Sequence, residues 1–322
     1  MKAARLVSPK KFEVVETDVP ALEEGRCLIK LERISICGSD IRRVYGRELP
    51  EEWYPGPIGF SCHECAGVVV ESKTPEFHEG QRVIVYPGAD NPGGLVEYIT
   101  SAPDLMCVVP DEGDLSEWVM CQPSGTVMYS CQKMGSVVGK DVVILGQGAI
   151  GLSFTMILAK MGPRQIITVD PLDYRLGWSQ KTGATHTINP EKEDVIAAVE
   201  GLTEGNGADI VVEAAGSPEA FNMCIRLVRK YGTMMAFGVQ PSPVIPIEHE
   251  LMMTRQPTII PSQGGHVPEP IVPIKTMVDL KARGIIDPGK LVTHRLPFED
   301  LQRAYDMYLN QEDEVIKVVM SL

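Results

Sequence analysis

The spacing of apolar and polar residues changes in character near residue 141. Before that point, short apolar runs rich in Val, Ile and Leu are separated by Pro and Gly, a pattern typical of β-strands joined by turns. The clearest runs predict strands at residues 27–31, 67–71, 82–86 and 95–99. We therefore expect the first third of the chain to form a β-rich domain.

After residue 141, strands alternate with helices. The pattern predicts strands at residues 141–145, 165–169, 209–214 and 232–238. An apolar helix at 149–161 ends at Gly162-Pro163, and a second helix begins with Ser217 as N-cap and Pro218 at its first position, and stops near Gly232. Repeated strand–helix–strand units indicate an α/β domain with a doubly wound parallel sheet and right-handed crossovers.

The end of the chain predicts a helix at 298–309 and an apolar strand at 315–319. This tail is too short to bury a core of its own, so we expect it to pack with the first domain. The predicted domains are residues 1–123 together with 292–322, and residues 124–291.

Composition and charge narrow the functional classes. The 322 residues are 44% apolar and 23% charged, which is ordinary for a globular protein of two domains. A formal net charge of −13 without a basic run disfavours nucleic acid and anionic membrane surfaces as partners. Without an apolar stretch of signal-peptide length near Met1, and with eight scattered cysteines, we expect a cytoplasmic protein with reduced thiols.

Gly146, Gly148 and Gly151 form the dinucleotide-binding pattern G-x-G-x-x-G, with Ile150 just before the last glycine. The pattern carries weight here because it follows a predicted strand and opens a predicted helix. In this context the first glycine permits the tight turn, the second lets a pyrophosphate approach the helix N-terminus, and the third permits close helix–strand packing.

Asp170 ends the next predicted strand, nineteen residues after Gly151. An acid at this position accepts hydrogen bonds from the adenosine ribose hydroxyls and repels a 2′-phosphate, which predicts NAD as the cofactor. Arg175 either lines the adenine side or is a solvated helix arginine, and the sequence leaves both interpretations open.

Cys37, His63 and Glu64 offer a thiolate, an imidazole and a carboxylate within the β-rich domain. Taken singly, a Cys or a His is more often a packing residue than a ligand. Together, ahead of a dinucleotide-binding fold, the three donors match a catalytic zinc site with three protein ligands and one open position.

These residues resemble the zinc-dependent medium-chain dehydrogenases over essentially the whole chain. The resemblance is carried, in order, by Cys37-Gly38-Ser39-Asp40, His63-Glu64, Gly67-Val68-Val69, Gly80-Gln81-Arg82-Val83, the glycine pattern, Gly207-Ala208-Asp209 and Val292-Thr293-His294-Arg295. The last of these stretches and the ligand set are most similar to the polyol branch, which includes sorbitol and threonine dehydrogenases. The resemblance implies a GroES-like catalytic domain, a Rossmann NAD-binding domain and an active site in the cleft between them.

The resemblance also implies roles for single residues. The implied zinc ligands are Cys37, His63 and Glu64. Ser39 is expected to take the proton from the alcohol, and Arg295 to bind a polar group of the substrate or Gln122. Asp40 either orients a metal ligand or only forms the turn. The expected assembly is a homodimer or homotetramer that acts on a small-molecule alcohol or polyol.

Two departures from the family concern cysteines. The family's structural zinc is held by four closely spaced cysteines after the strand at 82–86, but here residues 86–94 lead directly into the next apolar run. We therefore expect one catalytic zinc per chain and no structural zinc. The residue before the metal histidine is usually glycine and is Cys62 here, with Cys65 close behind; we interpret this pair as packing cysteines.

Two further departures concern catalysis. The histidine that relays the proton in many members is replaced by Arg42, so the proton is expected to leave by the ribose hydroxyls, by water or past this arginine. The acid near the metal aligns with Gln122, which is a poor zinc ligand but can hydrogen-bond a substrate hydroxyl. Cys121, beside it, is an alternative ligand. Loss of the acid favours an anionic or more polar substrate.

Three functions are compatible with these observations. The leading one is an NAD-dependent dehydrogenase of a secondary alcohol, a polyol or an amino alcohol. The changes at positions 42 and 122 also fit a catalytically degenerate NAD-binding sensor or scaffold. A third function is an elimination or epimerisation through transient oxidation by tightly bound NAD. Zinc content and net NADH formation distinguish the three.

Overall fold

A computed structural model describes residues 1–88, 91, 93–263 and 269–322. The strands are β1 (Lys2–Ser8), β2 (Lys11–Glu16), β3 (Cys27–Ser35), β4 (Glu64–Ser72), β5 (Arg82–Val85), β6 (Tyr98–Ser101), β7 (Met106–Val108), β8 (Asp141–Leu145), β9 (Gln165–Val169), β10 (His186–Ile188), β11 (Ala208–Glu213), β12 (Val228–Ala236), β13 (Thr258–Pro261), β14 (His294–Pro297) and β15 (Val318–Ser321). The α-helices are α1 (Gly38–Asp40), α2 (Leu115–Trp118), α3 (Cys121–Met134), α4 (Ala149–Leu158), α5 (Asp173–Thr182), α6 (Val195–Leu202), α7 (Pro218–Leu227), α8 (His249–Arg255), α9 (Ile271–Ala282) and α10 (Leu301–Asn310).

The chain packs into two compact units, residues 1–125 with 268–322, and residues 126–267. Residues 269–291 lie in the first unit, whereas the predicted boundary places them in the second. The physical reason is the packing of α9 on α2. The Lys281 amine lies 5.0 Å above the Trp118 ring and 3.4 Å from the Glu117 carboxylate.

The first unit is built on a mixed sheet, in which β14 and β15 pair parallel and the neighbouring strands pair antiparallel. Among the described residues its strand order is β14-β15-β3-β4-β5-β7, with β6 also paired to β3. The predicted strands 27–31 and 67–71 lie inside the longer β3 and β4. The strand predicted at 95–99 begins later, at Tyr98, because Val96 forms only an isolated bridge with Ala3.

The C-terminal tail packs with the first unit, as expected. Phe298 and Tyr305 are buried in the same apolar core as Ile29 and Leu31 of β3. The last strand starts at Val318 rather than at residue 315, because the backbone N–H groups of the two preceding residues donate to the Thr293 hydroxyl.

The second unit is the predicted parallel sheet. In the described part of the chain the order is β10-β9-β8-β11-β12-β13, and every pairing in it is parallel. The strand order reverses between β8 and β11, and ligands of such sheets bind at the carboxyl ends of the strands at this point. Strands β8 and β9 coincide with the prediction.

The helices of the second unit end earlier than predicted. Helix α4 ends at Leu158 rather than at residue 161. Helix α7 begins at Pro218 under the Ser217 cap, as expected, but it ends at Leu227 rather than near Gly232, because Val228 already pairs with Ala208 in the sheet. No helix among the described residues is long and apolar enough to cross a membrane.

Candidate functional site

Cys37, His63 and Glu64 lie together in the first unit, although the first two are 26 positions apart in sequence. Antiparallel pairing sets Ser35 of β3 opposite Glu64 of β4, so the segment after β3 and the segment before β4 are neighbours. One ligand atom of each residue lies within 4.8 Å of the other two. The structure therefore brings the three predicted ligands into one group that can hold a metal ion.

Asp40 and Ser39 surround this group from α1. One Asp40 carboxylate oxygen accepts from the Cys37 N–H at 2.9 Å, and the other lies 3.5 Å from His63 Nδ1, so Asp40 both forms the turn and orients the imidazole. The Ser39 hydroxyl donates to the Cys37 sulfur at 3.3 Å. Burial lowers the pKa of His63, but the negative charges of Cys37 and Asp40 outweigh it and raise that pKa well above its ordinary value.

Lys317 is a buried residue of this site that the sequence analysis missed. Its ammonium lies 2.8 and 2.6 Å from the two carboxylate oxygens of Glu64 and donates to the Ile36 carbonyl at 2.7 Å. Burial alone lowers the pKa of Lys317, but the Glu64 charge raises it above its usual value. A signal was present, because a lysine inside the apolar run 315–320 needs a buried partner.

Gln122 and Cys121, at the start of α3, are both buried. Gln122 is 2% exposed, and no described residue hydrogen-bonds its side-chain oxygen. Burial raises the pKa of the Cys121 thiol, which opposes the thiolate form that a metal ligand requires. Cys121 is not part of the group formed by the three predicted ligands among the described residues.

Arg295, which the sequence predicts to bind a polar group of the substrate or Gln122, lies against α2. Its guanidinium donates to the Ser116 hydroxyl at 3.0 Å and lies 3.9 Å from Asp114 and 3.8 Å from Glu117. These partners account for its position without a substrate.

The two cysteines that flank the metal residues are part of the apolar core of the first unit. Cys62 and Cys65 are fully buried, and the Cys62 thiol donates to the Ser35 carbonyl at 3.3 Å. Arg42 is exposed on a π-helical turn. Residues 89, 90 and 92, in the short connection where the family carries a zinc lobe, lie outside the described residues.

The glycine turn between β8 and α4 requires its glycines for different reasons. Gly146 has a φ of +88°, and a side chain there would meet the backbone of Ala215 at 2.8 Å. A Cβ on Gly151 would lie 1.8 Å from the Gly146 carbonyl oxygen. A Cβ on Gly148 would meet nothing within 4 Å. Gly148 is the N-cap of α4, so no capping side chain bonds to the first N–H groups of the helix. The N-terminus of α4 is therefore open to an anion.

Asp170 lies at the carboxyl end of β9, buried beside this turn. Its two carboxylate oxygens accept from the Gln147 N–H at 2.7 Å and the Leu172 N–H at 2.9 Å. Arg175 lies 3.8 Å from the same carboxylate with only 18% of its side chain exposed, so it is not a solvated helix arginine. Ile150 is half-buried in the first turn of α4.

Two protein-family models match this chain. The model of the alcohol dehydrogenase GroES-like domain matches residues 23–131, and that of the zinc-binding dehydrogenase matches residues 149–280. An uncharacterised zinc-type alcohol dehydrogenase-like protein of Escherichia coli is 30% identical over an alignment of 350 positions, which covers 99% of this chain and 98% of that protein. Sorbitol dehydrogenase of Bacillus subtilis is 26% identical and covers 99% and 97%.

The crystal structure of an Escherichia coli oxidoreductase of unknown specificity is similar along the whole chain. It superposes with a TM-score of 0.88 at 28% identity and covers 100% of this chain and 99% of its own. The similarity confirms the β-rich GroES-like domain and the Rossmann-type parallel sheet that the sequence predicted.

Proposed function

The chain belongs to the zinc-dependent medium-chain dehydrogenase family, in its polyol branch, and from that premise we propose that it transfers a hydride between a secondary alcohol, polyol or amino alcohol and NAD. The observation that carries the proposal is the group of Cys37, His63 and Glu64, whose ligand atoms lie within 4.8 Å of one another. The same chain holds a complete dinucleotide turn. An oxidoreductase of this type needs both features.

The donor set fits zinc. A thiolate, an imidazole and a carboxylate are the ligand types of catalytic zinc sites, which keep one position open for the substrate. Zinc bound there supplies a Lewis acid for the substrate hydroxyl and assists loss of its proton. Asp40 orients His63, and the Lys317 ammonium pairs with the Glu64 carboxylate within the apolar interior.

Glu64 is the third ligand in this proposal. It adjoins His63 and its ligand atom lies within 4.8 Å of those of Cys37 and His63, whereas Cys121 is not part of that group among the described residues. Gln122 has a buried oxygen without a partner among the described residues, and we assign it to a hydrogen bond from a substrate hydroxyl. Ser39, within 3.3 Å of the Cys37 sulfur, is the group assigned to relay the alcohol proton, accepting it while its own hydroxyl proton passes on to the ribose hydroxyls or to water.

The dinucleotide site favours NAD over NADP. The open cap of α4 and the space above Gly148 suit a pyrophosphate, and the adjacent Asp170 carboxylate suits the ribose hydroxyls. A 2′-phosphate at that carboxylate would place two negative charges together in a buried environment, which is unfavourable.

The experiment that tests this function measures zinc content and NADH formation on the same purified protein. We expect bound zinc and net NADH with some members of a panel of polyols and amino alcohols. Cys37→Ser should lose the zinc and lower kcat by about 10³-fold or more, because a Lewis acid contributes several kcal/mol to the barrier. Cys131→Ser, at a buried cysteine of α3 outside the ligand group, is the matched control.

Two results would contradict the proposal in different ways. Dinucleotide binding without zinc or turnover would indicate a sensor or scaffold. Substrate turnover with zinc but without net NADH would indicate transient oxidation.

A further inference from the structure

The side chain of Gln147 lies beneath the glycine turn, although the turn itself needs only the backbone of this residue. Gln147 occupies the unspecified position of the G-x-G pattern, between Gly146 and Gly148, and it is 0% exposed. Its amide nitrogen donates to the Gly146 carbonyl at 3.0 Å. Its amide oxygen accepts from Thr155 at 2.9 Å and from Ser179 at 3.2 Å.

These bonds join the turn to both neighbouring helices, since Thr155 lies on α4 and Ser179 on α5. Ser179 in turn donates to the Thr168 hydroxyl of β9 at 2.6 Å. The backbone N–H of Gln147 donates to Asp170, two residues further along that strand segment, at 2.7 Å. One residue thus connects the pyrophosphate end of the candidate site to its ribose end, through its backbone and through its side chain.

Burying an amide in an apolar domain is unfavourable unless its partners are in place. An apolar residue of similar size at this position would leave Thr155 bonded to the Gly151 carbonyl and Ser179 bonded to Thr168. The fold therefore does not need the amide to satisfy these hydroxyls. What the amide adds is a fixed distance between the glycine turn and the segment that carries Asp170.

We propose that Gln147 is a positioning residue for the dinucleotide, which sets the affinity for NAD and the preference for NAD over NADP. The proposal rests on the function proposed above, because that function supplies the ligand. A dinucleotide contacts the glycine turn and Asp170 at once, so a small displacement between them weakens both contacts. Binding sites tolerate errors of only about 0.5 Å in such placements.

The test is Gln147→Leu, which removes the three side-chain hydrogen bonds and keeps the N–H that Asp170 accepts. We expect the Kd for NADH, measured by fluorescence titration, to rise about tenfold, as for loss of one well-placed buried polar interaction. The ratio of kcat/KM for NAD to that for NADP should fall, and kcat/KM should fall more than kcat. Asp170→Ser, which removes the ribose acid directly, gives the reference for a relaxed preference.

Thr155→Val tests the same link from its other end and should raise the Kd for NADH in the same direction. The double variant should raise the Kd for NADH by less than the product of the two single fold-changes, because both substitutions remove the same hydrogen bond between Gln147 and Thr155. Thr203→Val is the matched control. Thr203 is a buried threonine that donates to the carbonyl four residues earlier, as Thr155 does, but it does not contact Gln147.

Unchanged NADH affinity and an unchanged NAD to NADP ratio in Gln147→Leu, with only a lower Tm, would overturn the positioning role and leave a purely structural one. Independent effects of the two single variants would overturn it as well. A wild-type chain that binds neither NADH nor NADPH would overturn the proposed function together with this inference. Binding by wild type with equal binding by Gln147→Leu overturns this inference alone.

Discussion

At the scale of single residues, the pairing of Lys317 with Glu64 gives a predicted metal ligand a buried counter-charge. Both side chains are buried, and the ammonium lies within 2.8 Å of each carboxylate oxygen. Removing one partner of a buried pair leaves an uncompensated charge, which costs about 3–5 kcal/mol. The pair therefore keeps a negatively charged ligand in an apolar interior before any metal binds.

Lys317→Met should lower the Tm of the metal-free protein by several degrees or more, because Glu64 then lacks its counter-charge. Zinc supplies a replacement charge, so its addition should raise the Tm of this variant more than that of wild type. Thermal unfolding with and without a chelator measures both effects.

Two controls make this prediction specific. Lys2→Met breaks an exposed lysine–glutamate pair, with Glu299, and should change the Tm little. The double variant Glu64→Gln with Lys317→Met removes both buried charges and should recover much of the metal-free stability. If the double variant is no more stable than Lys317→Met alone, the loss does not come from the unpaired carboxylate.

At the scale of elements, the turn from β8 into α4 contains one glycine that the packing of the protein requires and another that access of the ligand requires. A side chain at Gly151 meets the Gly146 carbonyl within the protein, whereas a side chain at Gly148 meets only open space. The same substitution, glycine to alanine, should therefore affect stability at one position and ligand binding at the other.

Gly151→Ala should destabilise the protein by about 1–3 kcal/mol, since the backbone must shift to admit the extra methyl group. Gly148→Ala should leave the Tm unchanged but weaken NADH binding by about tenfold or more, because its methyl group occupies the approach of the pyrophosphate. Urea unfolding and NADH titration measure the two quantities. Gly177→Ala, inside α5 with nothing within 4 Å of the new Cβ, should impair neither. Equal destabilisation by the substitutions at 148 and 151 would contradict this separation.

At the scale of the whole molecule, the number of metal sites can be predicted from the ligand groups of the described residues and from the sequence. Within the described residues, a single group of three or more metal-ligating side chains is present. The sequence between residues 86 and 94 contains no cysteine that could form a second site.

We therefore expect at most one zinc per chain by elemental analysis of the purified protein after dialysis. Cys37→Ser should reduce this value to near zero, since loss of a thiolate removes one of three protein ligands. Two zinc ions per wild-type chain, or one that persists in Cys37→Ser, would show that another site exists.

Much of the fold was predictable from local pattern. Strands β8 and β9 were predicted at their observed bounds, because short runs rich in Val and Ile that are bounded by Gly, Pro or Asp are strong signals for buried parallel strands. The N-cap at Ser217 was predicted because capping chemistry lies within a few residues. Ends of helices were less predictable. Helix α7 stops at Leu227 because Val228 pairs with Ala208 in the sheet, and local spacing around the helix does not reveal this pairing.

Residue types and their local spacing were enough to predict the candidate metal donors, the glycine turn and the acid after β9. The tertiary structure decided which distant residues complete them. It paired Glu64 with Lys317, 253 positions away, directed Arg295 to α2, and placed residues 269–291 with the first unit. The physical reason is that residue type and local spacing determine helices, strands and turns, whereas contacts between distant residues depend on strand register and packing, which a single sequence does not reveal.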